Sequence, residues 1–333
     1  MKRIGMVTAL LALLLHANIA QARQSTRVVG PMGREYFVFT PDKIDAQKTY
    51  WLVVGAHGNN QSGKNAAWIG DWVDRGDCIA VAPSFPQGFQ GLGDNSDNQL
   101  LQIFSALQHQ YKLHSKLFVT GHSAGAQFAH RFASKHADKT LGCAASSAGS
   151  WATGGEFGNF SSSARTIPIA ISCGEQDTKP AGPGAQYGRL EWAKRFEKQL
   201  ADGHFFYKAK YWPGAGHGGN AGGDHQLQLE AFSLGTSGLI GEAATERDDA
   251  LAKIDALVEA EDYSNAVAAL RAILAKMKTR TPAQFAADLN ANDWHASPAA
   301  VAECVQRSQQ FWNDQASELT ARINARSKPP TRP

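Results

Sequence analysis

Between residues 34 and 236 the chain alternates two kinds of apolar pattern. Short unbroken runs rich in Val, Ile, Ala and aromatic residues recur at 34–40, 50–56, 78–82, 116–120, 142–147, 167–173 and 205–212. Such runs, lacking a polar alternate, predict strands buried on both faces. Between them the spacing turns helical. Leu100, Ile103, Leu107 and Tyr111 share one face of 98–113, and 63–75, 126–135 and 186–201 read as further helices. Strand and helix in alternation predict an α/β fold, its mostly parallel sheet covered by helices on both faces.

The pattern changes near 237–241. From Glu242 onward glycine is absent and Ala, Leu, Glu, Lys and Arg dominate. Leu251, Ile254, Leu257 and Val258 form one apolar stripe; Val267, Leu270, Leu274 and Met277 form another, with a turn and N-cap at 261–264 between them. Thr281-Pro282 and Ser297-Pro298 pair a cap residue with proline at the first helical position. The last helix is expected to reach about Ala325, completing a C-terminal all-helical appendage of roughly four helices. Its first pair resembles one tetratricopeptide-type hairpin, but the pattern does not recur and stacked arrays need about three repeats. A packing role is therefore expected rather than a peptide-binding array.

Lys2 and Arg3, the apolar run 6–15 and Ala20-Gln21-Ala22 read as a cleavable secretory signal. The expected organisation is a signal peptide at 1–22, an α/β domain at 23–240 and a helical domain at 241–333, in a secreted or periplasmic protein. The apolar run is too short to cross a bilayer, so no membrane insertion is expected. Losing Lys2 and Arg3 takes the formal charge from +3 to +1, since that segment holds no acid. A nearly neutral protein has no electrostatic footprint for nucleic acid or an anionic membrane. Cys78, Cys143 and Cys173 fall in predicted strands and read as small buried hydrophobes; with Cys304 they are too few to imply a disulfide framework, and although export permits a bond the spacing does not pair them. There is no Cys-x-x-Cys or His-Glu-x-x-His, so neither metal nor cofactor is expected.

Candidate chemistry starts at Gly121-His122-Ser123-Ala124-Gly125, after the 116–120 run and before the 126–135 helix. Strand, Gly-x-Ser-x-Gly, helix is the layout of a nucleophile elbow, where the serine sits in a strained turn and a flanking Cβ would clash. Serine near neutral pH is a poor nucleophile, so Ser123 needs a base, an acid to orient that base, and donors for an oxyanion. Sheet enzymes of this type supply them in the order serine, acid, histidine. The acid is expected at Asp177, in Gly174-Glu175-Gln176-Asp177, with Glu175 competing. The base is expected at His217, in Pro213-Gly214-Ala215-Gly216-His217, while His122 and His57 are read as structural. Asp177 and His217 both fall just past the C-terminal ends of predicted strands, where α/β sheets gather functional groups. The oxyanion donors are expected to be the backbone N–H groups of Ala124 and, from the 57–60 loop, Asn59.

With the His57-Gly58-Asn59-Asn60-Gln61 loop, these motifs make residues 34–236 resemble the α/β-hydrolase superfamily. Within it they resemble the secreted esterase branch of polyhydroxybutyrate-depolymerase-like and feruloyl-esterase-like proteins. The resemblance implies the α/β-hydrolase fold, a Ser123, Asp177, His217 triad, and hydrolysis of a small or polymeric carboxylic ester through an acyl-enzyme.

Two other functions stay open. A peptidase of the prolyl-oligopeptidase type shares triad and fold, but usually carries a large domain where this chain has only residues 23–33. A non-catalytic binding protein on the same fold would have no need of all three groups. The 149–166 connection, rich in Gly and Ser, is too short for a separate helical cap, so an open entrance is expected. Trp151 either lines the acyl pocket or packs in the core.

Overall fold

The computed structural model describes residues 24–30, 33–155, 158–181 and 185–326. The expected signal peptide lies outside them. Eight strands make one sheet: β1 (Gln24–Val29), β2 (Glu35–Thr40), β3 (Tyr50–Ala56), β4 (Cys78–Pro83), β5 (Leu113–His122), β6 (Thr140–Ser146), β7 (Ile169–Gly174) and β8 (Tyr207–Trp212). Their order is β1-β2-β4-β3-β5-β6-β7-β8. β1 pairs antiparallel with β2, and β2 with β4; from β4 through β8 every pairing is parallel. Parallel neighbours need long crossovers, and helical segments fill all but the one from β6 to β7, which holds a single 3₁₀ turn (Ser162–Ala164). The helical segments are a 3₁₀-type stretch (Gly63–Arg75), α1 (Ser96–Gln110), α2 (Ala124–Lys135) and α3 (Arg189–Asp202).

Alternate strand residues feed two apolar layers. Leu52, Val54, Ile79, Val81, Leu117 and Val119 pack with Leu100, Phe128, Phe132 and Phe196 of α1, α2 and α3. Val53, Ala80, Phe118, Ala144 and Ala170 face the other way, onto Ile69, Trp72 and helix α4 (Ala221–Ser237). Trp151 packs in the first layer, fully buried and stacked on Phe196. All four cysteines are buried and unpaired. Burial pushes the Cys173 and Cys304 thiols up to about 11, which leaves them unreactive near neutral pH.

Two elements lay outside the sequence reading. β1 is an edge strand with exposed Ser25, Thr26 and Arg27, so it shows no apolar run. α4 opens on Ala-Gly-Gly and is buried from Ala231 through Ser237, which erases the polar stripe that marks a surface helix.

The C-terminal helices are α5 (Glu242–Glu259), α6 (Tyr263–Lys278), α7 (Pro282–Ala291) and α8 (Pro298–Arg326). Asp262 caps α6, and Thr281 with Gln284 forms a capping box at α7. Their apolar faces join the second sheet layer instead of closing a core of their own. Gly238 lies so close to Cys304 that a Cβ there would stand 2.7 Å from the Cys304 Cα. The buried Arg247 donates to Ser233 Oγ at 2.9 Å and Ser237 Oγ at 2.6 Å. Thr49 N–H donates to Glu318, and Arg307 to the Thr166 carbonyl. Thr49 and Thr166 precede β3 and β7, so these contacts hold the helices at the N-terminal ends of the strands, opposite the ends that carry the candidate triad.

Candidate active site

β5 delivers Ser123 into a conformation few side chains adopt, φ 58° and ψ −117°. The turn is possible because its flanks are glycine. A Cβ on Gly121 would come 2.6 Å from the Gly125 oxygen, and one on Gly125 would come 2.7 Å from the carbonyl carbon of Ala56. Ser123 N–H donates to the Ser146 carbonyl at 2.9 Å, extending the β5–β6 pairing by one residue. The hydroxyl is thereby held above the C-terminal ends of the central strands.

The loops after β7 and β8 meet over it. Gly174 admits the close approach, since a Cβ there would lie 2.7 Å from the Ala215 carbonyl carbon. Gln176 N–H then donates to the Ala215 carbonyl at 2.8 Å, and Glu175 N–H to that of Trp212 at 3.0 Å. Glu175 points to solvent, whereas the Asp177 side chain is only 3% exposed. His217 Nδ1 lies 2.9 Å from Asp177 Oδ2, and its Nε2 lies 3.2 Å from Ser123 Oγ. With Nδ1 donating to the carboxylate, Nε2 carries the lone pair that faces the serine hydroxyl. Ser123, Asp177 and His217, far apart in sequence, are thus joined in one chain of hydrogen bonds.

Ala124 opens α2, so its N–H has no intrahelical acceptor. Gly125 packs against the carbonyls of Ala56 and His57, which sets the loop after β3 beside that N–H. In this loop the Gly58 N–H is taken by Gln61 Oε1 at 2.9 Å, and Asn59 is exposed. His57 pins the loop from behind: Nδ1–H donates to the Gly58 carbonyl at 2.7 Å and Nε2 accepts from Phe85 N–H at 2.9 Å. Burial holds the pKa of this ring below the usual histidine value. His122 stands beside the base, ring centroids 4.9 Å apart, and burial followed by the charge of His217 lowers its pKa too.

Two groups near the triad have no sequence motif. Arg189, the first residue of α3, reaches the outer oxygen of Asp177 at 3.4 Å and the Lys179 carbonyl at 3.4 Å. Asp224, in the first turn of α4, lies beneath the His217 loop.

No family model matches the chain, and no curated protein matches its sequence. Solved structures do resemble it. A ferulic acid esterase from the fungus Anaeromyces mucronatus gives a TM-score of 0.50 at 18% identity, covering 63% of this chain and 90% of its own. Poly(aspartic acid) hydrolase-1 from Sphingomonas sp. KT-1 gives 0.50 at 21% identity, covering 63% and 98%. With the strand order above, these likenesses establish the α/β-hydrolase fold. More than a third of this chain lies outside either match.

Proposed function

We propose that this protein is a serine hydrolase that cleaves carboxylic esters through an acyl-enzyme. The observation that carries the reading is His217, bonded on one side to buried Asp177 and facing Ser123 on the other. Ser123 Oγ attacks the ester carbonyl as His217 Nε2 takes its proton, and Asp177 holds the tautomer and stabilises the imidazolium. The N–H groups of Ala124 and Asn59 receive the oxyanion. The same imidazolium protonates the departing alcohol, and water repeats the sequence to free the acid. Export follows from Lys2, Arg3 and the 6–22 segment and is part of the same proposal.

A cleft of about 550 Å³ runs from Gln127, one turn beyond Ser123, along α2 past Ser134, between Leu92, Ser150 and Asn159. Polar side chains, among them Gln127, Arg131, Ser150 and Asn159, line it beside Leu92 and Ala152. Among the described residues the exposed large apolar side chains are Val29, Ile44 and Trp68, none of them on a triad loop. Both features favour soluble esters with short or polar groups over lipids. The test is a nitrophenyl ester series from acetyl to dodecanoyl, run beside matching anilides. Activity should be highest on short esters and slight on anilides. A maximum on long chains with activation at a lipid interface would contradict the substrate reading, and preference for amides would favour a peptidase.

A further inference from the structure

Asp224 is bound by three donors that come from three different strands. Ser172 Oγ donates to Oδ1 at 2.6 Å, the Trp212 indole N–H to Oδ1 at 2.8 Å, and Ser146 Oγ to Oδ2 at 3.0 Å. Ser146 and Trp212 end β6 and β8, and Ser172 lies near the end of β7. Ser146 is the register partner of His122 on one side and of Ser172 on the other, so the carboxylate spans the sheet beside the nucleophile strand.

Above it lies the loop that carries His217. Gly219 has φ +63°, and a Cβ there would come 2.6 Å from Asp224 Oδ2 and 3.4 Å from Ser146 Oγ. A Cβ on Gly223 would run into the Trp212 ring. Asn220 closes the connection from loop to helix, its Oδ1 accepting from Gly223 N–H at 3.0 Å and its carbonyl from Asp224 N–H at 2.7 Å. The height of the loop over the sheet is therefore set by one side chain that grips three strand ends.

We infer that Asp224 is a positioning residue for the hydrolytic reaction: it anchors the His217 loop to β6, β7 and β8, so that Nε2 stays aligned with Ser123. The inference rests on the triad reading given under Proposed function. Asp224 touches no reacting atom. A carboxylate suits the place because all three neighbours donate and it only accepts. An asparagine that kept Oδ1 for Ser172 and Trp212 would turn its NH₂ to Ser146 Oγ, which would have to accept where it now donates, and an alanine would leave all three donors without an acceptor.

The test measures kcat and KM on a short nitrophenyl ester for Asp224→Asn, Asp224→Ala, Ser172→Ala and Trp212→Phe, with thermal melts of each. Misalignment on the scale of an ångström costs on the order of 100-fold. The Asp224 variants should lose about 10- to 100-fold in kcat with KM within threefold, and the single-donor variants should lose less, again in kcat alone. The low-field proton of the His217–Asp177 hydrogen bond should broaden or vanish in the Asp224 variants. Folded Asp224 variants with kcat within twofold of the parent would overturn the inference. If they do not fold, unchanged kcat in both folded single-donor variants would do so. A parent enzyme that never acylates at Ser123 would instead overturn the triad reading, and this inference with it.

Discussion

A methyl group on Gly125 would lie 2.7 Å from the Ala56 carbonyl carbon and 2.9 Å from the His57 oxygen, and nearer still to the Ala56 oxygen. All three are backbone atoms at the end of β3, so no side-chain rotation relieves the overlap. Ordinary carbon contacts begin at about 3.5 Å, so α2 and the end of β3 must part by about 1 Å or more, the Ala56 oxygen setting the limit. That separation also moves the Asn59 N–H away from the Ala124 N–H. Oxyanion donors act over about 2.7–3.1 Å, and a displacement near 1 Å costs on the order of 100-fold. Overpacking adds about 1–3 kcal/mol of destabilisation. For Gly125→Ala the expected result is a kcat/KM about 100-fold lower on nitrophenyl acetate, with a melting temperature several degrees lower. Gly222→Ala is the control: its nearest neighbour would be Asn220 Oδ1 at 3.9 Å, and activity should stay within twofold. A Gly125→Ala enzyme within threefold of the parent at an unchanged melting temperature would refute the reasoning.

Asp177→Asn should lower kcat by about three to four orders of magnitude, because the amide favours the wrong tautomer of His217; Glu175→Gln, at an exposed position, should be silent, and the reverse pattern would exchange their roles. A chain ending at Ser237 would uncover Phe206, which packs edge-on against Trp294, and the face of α4 that meets α8. Each large apolar side chain so exposed costs about 1.5–3 kcal/mol, and a few of them rival the whole stability of a domain, so the truncated protein should be insoluble, and a soluble active one would contradict the shared core. His114 stacks on Trp51, ring centroids 3.5 Å apart, and burial takes its pKa down to about 4. The unfolded chain binds this proton from about pH 6.5 downward while the folded ring refuses it, so stability should fall by about 3 kcal/mol as pH drops from 6.5 to 4. Denaturant titrations of His114→Gln should show a flatter decline over that window; an unchanged one would refute the assignment.

The central strands were legible because continuous Val, Ile and Ala runs have few other uses in a chain of this composition. The candidate triad was legible because each member follows such a run with glycine nearby; at Gly121 and Gly125 beside Ser123, and at Gly174 before Asp177, the fold leaves no room for a side chain. Spacing alone left Glu175 competing with Asp177; burial and the bond to His217 are what separate the two in the fold. The composition change near Gly241 marks the start of the terminal helices, yet nothing in their stripes said that the partner face was the sheet itself. Arg189 and Asp224 left no trace in sequence because their partners, Asp177 for one and three strand ends for the other, are assembled only by topology.

The most direct test of the central claim is a serine-directed fluorophosphonate followed by intact mass and peptide mapping. One equivalent should add to the protein, the adduct should map to Ser123, ester hydrolysis should stop in step with labelling, and Ser123→Ala should neither label nor turn over while melting like the parent. A stoichiometric adduct on any other residue, or ester turnover surviving in Ser123→Ala, would contradict the account.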